Sequence, residues 1–421
     1  MNLSSHRFLA FIAFSFLASC QGCFGCKTSP IDNEELLLVR SCESAPPLID
    51  PPKLDILFVI DNSNSMREEQ EAVARELTGF IDELKKGGGV PADFNVGVVT
   101  TAVYLNGRVG AQSFLLNYPK QSGKLRPIPV AHDDGGIDYD DPNGERLLSG
   151  TDPELITKFG KLVRQGTTGS GQETPFEAVR LALHPEAGDV PLIKVPLAQG
   201  GNGGFLRDGA RLLVVVLTDE DDCSEKARPP LVSVGDTGAI ADCTQREMEL
   251  TPVSEYKRLF TEELKNSDGT LKEVIWTAIA PVGVSNKAAM SVLDGTQIRN
   301  VDCPTSNQGG FRHRQMAELF DNTLVNLDSI CKPSFRDTLI TIAQLASVSQ
   351  SIEIRNVADE RIMQFVITRA DGAKENCTIA NEGIVSFSRN SANTTAKFQF
   401  GNQCRRRADD KTIDVKMLCV I

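Results

Sequence analysis

An aspartate and two serines at alternate positions, Asp61-Asn62-Ser63-Asn64-Ser65, follow directly on an apolar run at 54–60. One carboxylate and two hydroxyls at this spacing in a tight loop can turn three oxygens toward one point. Hard divalent cations take oxygen ligands of this kind. The competing assignment is that Asp61 and Ser63 only cap the helix that follows, a common task for these residue types. Two other acidic groups stand out. Asp219-Glu220-Asp221-Asp222 is too acidic for an ordinary core, and its last three residues read as a solvated rim or a Ca2+ holder. Asp133, Asp134, Asp138, Asp140 and Asp141 lie in a glycine-containing loop whose spacing does not match an EF-hand, so a solvated loop is expected there.

Catalysis finds fewer candidates. The histidines His6, His132, His184 and His313 lie in unrelated contexts, and neither HExxH nor GxSxG before a helix occurs. An aspartyl phosphatase of the haloacid dehalogenase type also places an Asp after its first strand. That chemistry needs a second acid two residues on as proton donor, and here the position holds Ser63. A hydroxyl cannot act as a general acid at neutral pH. The expectation is a binding protein, not an enzyme.

The elements around the Asp61 loop follow from periodicity. The run at 54–60 is apolar on both faces, the mark of a buried parallel strand covered by helices on each side. Val73, Leu77, Phe80, Ile81 and Leu84 then form one helical stripe, ended by Gly87-Gly88-Gly89. Strands are predicted at 94–103, 211–218, 273–280 and 324–330, and helices at 153–165, 175–183, 255–265, 314–320 and 335–345. Long loops are expected at 117–150, 186–210 and 222–252. This alternation predicts an α/β domain with a mostly parallel, Rossmann-like sheet over 53–348, with the Asp61 loop at a carboxyl end, where ligands bind in open α/β sheets. From 351 to 421 the helical period disappears. Short β-type runs at 351–357, 362–369, 384–387, 397–400 and 412–420 predict a small all-β domain of about 70 residues, near the lower limit for its own core.

Composition bounds the partners. The chain has 421 residues, 41% hydrophobic and 24% charged, with a net charge of −12. Such a chain repels phosphate backbones, which argues against nucleic acid. Residues 1–7 carry Arg7, and 8–19 are uncharged, too short to span a bilayer and suited to a signal peptide. Leu17-Ala18-Ser19-Cys20 resembles the bacterial lipobox, which implies cleavage before Cys20 and lipid on its thiol; an ordinary secretory signal is the alternative. By resemblance to Gram-negative lipoproteins, Gln21 in place of an Asp after Cys20 implies the outer membrane. Loss of Arg7 takes the charge to −13. Residues 20–52, broken by Pro30, Pro46, Pro47, Pro51 and Pro52, read as a lipidated tether. Setting Cys20 aside leaves an even number of the 11 cysteines, which suits disulfides in an oxidising compartment. Cys223 with Cys243 and Cys303 with Cys331 are expected pairs. Cys377, Cys404 and Cys419 are odd in number, so one is expected to pair outside the β domain, with Cys42.

DILFVIDNSNSM, GSGQETPFEAVRLAL and FLRDGARLLVVVLTDEDDCS together resemble von Willebrand factor type A (vWA) domains of secreted bacterial lipoproteins, over roughly 53–348. The resemblance implies a doubly wound sheet of strand order 3-2-1-4-5-6. It also implies a metal-ion-dependent adhesion site in which Thr174 and Asp219 join Asp61, Ser63 and Ser65. One departure is Asn64, where the family has Gly. The five ligands would carry only two negative charges, those of Asp61 and Asp219. Mg2+, or Mn2+ or Ca2+, would then remain incompletely coordinated. A carboxylate from Asp or Glu of a protein partner is the ligand that the resemblance supplies. A structural envelope protein with a vestigial metal site is the alternative.

Overall fold

The computed structural model describes residues 53–86, 93–109, 112–183, 192–227, 247–294, 297–306, 308–355, 363–390, 395–407 and 410–417. The run LDILFVI forms β1 (Leu54–Ile60), buried along its whole length. Successive side chains point to opposite faces of a strand. Accordingly Leu54, Ile56, Phe58 and Ile60 enter one apolar core, while Leu57 and Val59 enter another. The acid in this run is satisfied: Asp55 accepts from Arg207 Nε at 2.7 Å and from the Arg207 backbone N–H at 2.6 Å.

Five more strands complete the central sheet: β2 (Phe94–Thr100), β3 (Leu147–Ser149), β4 (Arg211–Leu217), β5 (Val274–Ala280) and β6 (Leu327–Ser329). Their order is β3-β2-β1-β4-β5-β6, and only β3 runs antiparallel to its neighbour. Helices α1 (Arg67–Lys86), α2 (Leu155–Leu162) and α6 (Arg336–Ser347) supply one core, where Phe58 meets Phe80 and Phe159 edge-on. Helices α3 (Pro175–Leu183), α4 (Val253–Arg258) and α5 (Phe311–Phe320) supply the other, which includes Phe176, Tyr256, Phe260 and Trp276. The expected helical stripe of α1 is the face that is buried.

Two expectations are corrected. Residues 117–150 are not all loop, since they contain β3, an edge strand three residues long. Residues after β2, read as extending that strand to 103, instead lead into a hairpin of Tyr104–Val109 with Gln112–Asn117. The loop expected at 222–252 lies largely outside the described residues, as do Gly87-Gly88-Gly89.

The last part of the chain is β-structured as expected. Strands β7 (Ser351–Arg355), β8 (Met363–Thr368), β9 (Lys374–Cys377), β10 (Ile384–Asn390), β11 (Thr395–Phe400) and β12 (Thr412–Met417) form two antiparallel sheets, β7-β11-β10 and β9-β8-β12. β9 had no expected counterpart. Phe365, Phe398 and Phe400 centre a separate apolar core. Cys303 is bonded to Cys331 as expected, and Cys377 to Cys404 within this last core. Cys223 is also disulfide-bonded. Its expected partner Cys243, like Cys20, Cys42 and Cys419, lies outside the described residues. These disulfides fit an oxidising, extracytoplasmic compartment. Among the described residues no helix is long and apolar enough to cross a membrane.

Candidate divalent-cation centre

The carboxyl ends of β1, β2 and β4 converge on Asp61. Its backbone N–H donates to the Leu217 carbonyl at 2.9 Å, prolonging the ladder past the end of β1. The side chain is fully buried. Oδ1 accepts from the Ser63 backbone N–H at 2.8 Å, and Oδ2 from the Thr218 hydroxyl at 2.7 Å. Gln70 on α1 donates to the carbonyls of Asp61 and Gly166, each at 2.9 Å, and so fixes the helix to the loop. The Ser63 and Ser65 hydroxyls lie 3.3 Å apart. Ser65 in turn hydrogen-bonds to Asp219, whose Oδ1 is buried without a hydrogen-bond partner. Asp61, Ser63, Ser65 and Asp219 are therefore in one connected group.

Thr174 reaches the same region from the start of α3. Its backbone N–H and its hydroxyl both donate to the Thr101 carbonyl, at 3.2 and 2.8 Å. Thr101 in turn donates its backbone N–H to the Ile60 carbonyl at 3.2 Å. A hydroxyl whose proton is spent on a carbonyl keeps its lone pairs free to face a cation. The segment before it packs closely against the Asp61 loop: Gly169 N–H donates to the Asn62 carbonyl at 2.8 Å, and a Cβ at Gly169 would collide with the Asn62 side chain.

The electrostatics of this group are one-sided. Burial pushes the Asp61 carboxyl up to about 6, against the donors Ser63 and Thr218. Burial, with the charges of Asp61 and Glu220, pushes Asp219 up to about 8. Burial, reinforced by Asp61, Glu220 and Asp219, holds Glu173 well above the usual carboxylate range. No lysine or arginine is among the leading influences on any of the three. Buried carboxylates normally find a cationic partner or a metal. The residues present fit a hard divalent cation: two carboxylates, three hydroxyls and an orphaned, buried Asp219 oxygen. Among the described residues no three His, Cys, Asp or Glu side chains are arranged to hold an ion by themselves. The serine and threonine hydroxyls would have to complete the set.

Of the three acids after Asp219, expected as a solvated rim or a Ca2+ holder, Glu220 is half-exposed, but Asp221 and Asp222 are not a solvated rim. Asp221 and Asp222 are fully buried and bound to α5. Asp221 accepts from the Arg312 backbone N–H at 3.0 Å, and Asp222 from its guanidinium at 3.0 and 3.1 Å. Asp222 also accepts from the Phe176 N–H at 3.1 Å, which ties the Asp219 loop to α3 as well. In the 133–141 loop, Asp133 and Asp134 are exposed, and Asp140 pairs with Arg126 at 2.6 Å. His313 is buried against Phe176, and burial lowers it to about 3, so it stays neutral. His132 is exposed, and His184 is outside the described residues. Glu173 and Thr218 were not singled out from sequence. The signal for Glu173 is a charge placed inside GQET immediately before a helix. For Thr218 no signal existed, because its partner Asp61 lies 157 positions away.

Thr218 offers a test of this geometry. Thr218→Val keeps the shape of the side chain but removes the donor to Asp61. A cation ligand that loses its supporting hydrogen bond typically loses about 10–100-fold in affinity. Titration with Mn2+ followed by electron paramagnetic resonance should show a loss in that range, and an unchanged affinity would mean that Thr218 does not orient Asp61.

No protein-family model and no curated protein matches the chain. Among solved structures, it is similar to the pilus adhesin SpaC from Lactobacillus rhamnosus GG in its open conformation, with 11% identity and a TM-score of 0.33 over 87% of this chain and 39% of that one. It is also similar to human COPII-coat protein Sec24c, with 12% identity and a TM-score of 0.30 over 85% and 40% of the two chains. Proximal thread matrix protein 1 from the mussel byssus gives 13% identity and a TM-score of 0.28 over 72% and 49%. The chain spans less than half the length of each of these structures.

Proposed function

We propose that residues 53–348 are a vWA-type domain that binds a protein partner through a divalent cation, held at a membrane surface by lipid on Cys20. The ion, Mg2+ or Mn2+ or Ca2+, would be held by Asp61, Ser63, Ser65, Thr174 and Asp219. When bound, it supplies an electrophilic centre for an Asp or Glu carboxylate of the partner. The protein's own part is to present the oxygens. The Thr218 and Ser63 donors hold the Asp61 carboxylate in one orientation, and the Thr101 carbonyl takes the Thr174 proton so that the hydroxyl oxygen is free. Arg312 fixes the Asp219 loop from behind through Asp221 and Asp222. The observation that carries this reading is the buried, unpartnered Asp219 oxygen beside the connected group of Asp61, Ser63 and Ser65.

The test is capture of a partner from cell-envelope extract by the full-length chain, in Mg2+ and in EDTA, with Asp61→Ala as control. Capture that needs both the ion and Asp61 is expected. Equal capture in all arms would leave a scaffold whose metal site does no work.

A further inference from the structure

We propose that Glu173 is the third negative charge of this centre, drawing and retaining the cation from one layer behind the five ligands. The inference rests on the cation reading above and deepens it. Glu173 is fully buried, and no N–H or hydroxyl donor reaches either carboxylate oxygen; the side chain it meets is the Glu220 carboxyl. A buried carboxylate left in that state is costly unless something positive stands near it. The charges around it are those of Asp61, Asp219 and Glu220. Two of these belong to the ligand set, so whatever cation relieves them relieves Glu173 too.

Chain geometry keeps it there. Glu173 immediately precedes Thr174, which is pinned to the Thr101 carbonyl. Its own carbonyl accepts from the Cys223 N–H at 2.8 Å, joining its segment to the Asp219 loop. Ser170 and Gln172 brace the same turn: the Ser170 hydroxyl donates to the Tyr104 carbonyl at 2.8 Å, and the Gln172 amide to the Cys223 carbonyl at 3.2 Å. Glu173 lies outside the proposed ligand set and acts through its charge, not as a direct ligand. It is a positioning residue.

Its charge changes what the centre can do. Asp61 and Asp219 together only balance a divalent ion. With the ion in place, an ionised Glu173 gives the pocket an excess of negative charge, so the ion stays bound when no partner carboxylate is present. Partner exchange then occurs at a site that keeps its metal.

The experiment is Mn2+ titration of the purified full-length chain, read by electron paramagnetic resonance, for wild type, Glu173→Gln, Glu173→Asp and Asp61→Ala. Glu173→Gln is expected to weaken binding by about 10–100-fold, the cost usual for residues standing behind metal ligands. Glu173→Asp, which keeps the charge, should restore most of the affinity. Without metal, Glu173→Gln should melt no lower than wild type, whereas loss of a purely structural contact would lower it. Wild-type affinity in Glu173→Gln, with binding lost in Asp61→Ala, would overturn this inference and leave the cation site standing. Absence of Mn2+ binding by wild type would overturn both.

Discussion

Asp61→Ala is expected to abolish cation binding while leaving the fold intact. Residues that merely support a metal ligand cost about 10–100-fold when removed, and Asp61 is placed as a ligand, so its loss should exceed a hundredfold. The substitution takes away one of the two charges in the proposed set. It also leaves the Ser63 N–H and the Thr218 hydroxyl without the acceptor they now share at 2.8 and 2.7 Å. Two unmade donors would cost roughly 1–3 kcal/mol each if they found no water. Against this, a desolvated carboxyl that repels Glu173 and Asp219 has been removed. The ladders on either side of β1 do not involve the side chain. The metal-free variant should therefore melt within a few degrees of metal-free wild type, while Mn2+ raises the melting temperature of wild type alone. A variant that still bound Mn2+ tightly would place the ion elsewhere.

The second large effect is on the pH dependence of stability. Asp61 and Asp219 move from the ordinary 3.8 up to about 6 and about 8 in the metal-free fold, chiefly through burial. Raised carboxyls mean that the folded state holds protons that the unfolded state has released. Their contribution is complete below about pH 4 and is lost as pH rises through 6 toward 8. A cation competes with those protons, so its stabilising effect runs the other way, small at pH 5 and much larger at pH 8. At a concentration of about 100 times Kd, a bound ion stabilises by about 2.7 kcal/mol. For a domain of this size that is roughly 5–10 °C. Melting curves in Mg2+ and in EDTA at pH 5 and pH 8 should show this gain at pH 8 and little of it at pH 5. Comparing the two arms at each pH cancels groups such as His313, which stays neutral in the fold and gains a proton on unfolding at pH 5 with or without the ion. A gain equal at both pH values would mean that the metal does not displace protons from these carboxyls.

Much of the frame could be read from the chain because the signals were local. LDILFVI and RLLVVVL are apolar on both faces, which only a covered parallel strand requires, and the α1 stripe repeats at helical spacing. The Asp61 loop then had to lie at a carboxyl end. What could not be read depended on partners far away in sequence. β3 is three residues of a long loop, specified by pairing with Asn95 to Gly97 on β2 and not by its own pattern. Asp221 and Asp222 looked like surface acids until Arg312, some ninety positions on, met them from α5. Glu173 reads in sequence as one more polar residue of a loop. Its burial depends on contacts distant in sequence, such as the Cys223 N–H that donates to its carbonyl, which no spacing rule encodes.

The most direct test of the central claim is anomalous scattering from crystals soaked in Mn2+. One peak is expected within coordination distance of Asp61, Ser63, Ser65 and Thr174, with Asp219 facing it, and absent from Asp61→Ala crystals grown alike. Ordered side chains in that place with no peak at saturating Mn2+ would contradict the account, since the buried carboxyls would then be carried without a cation.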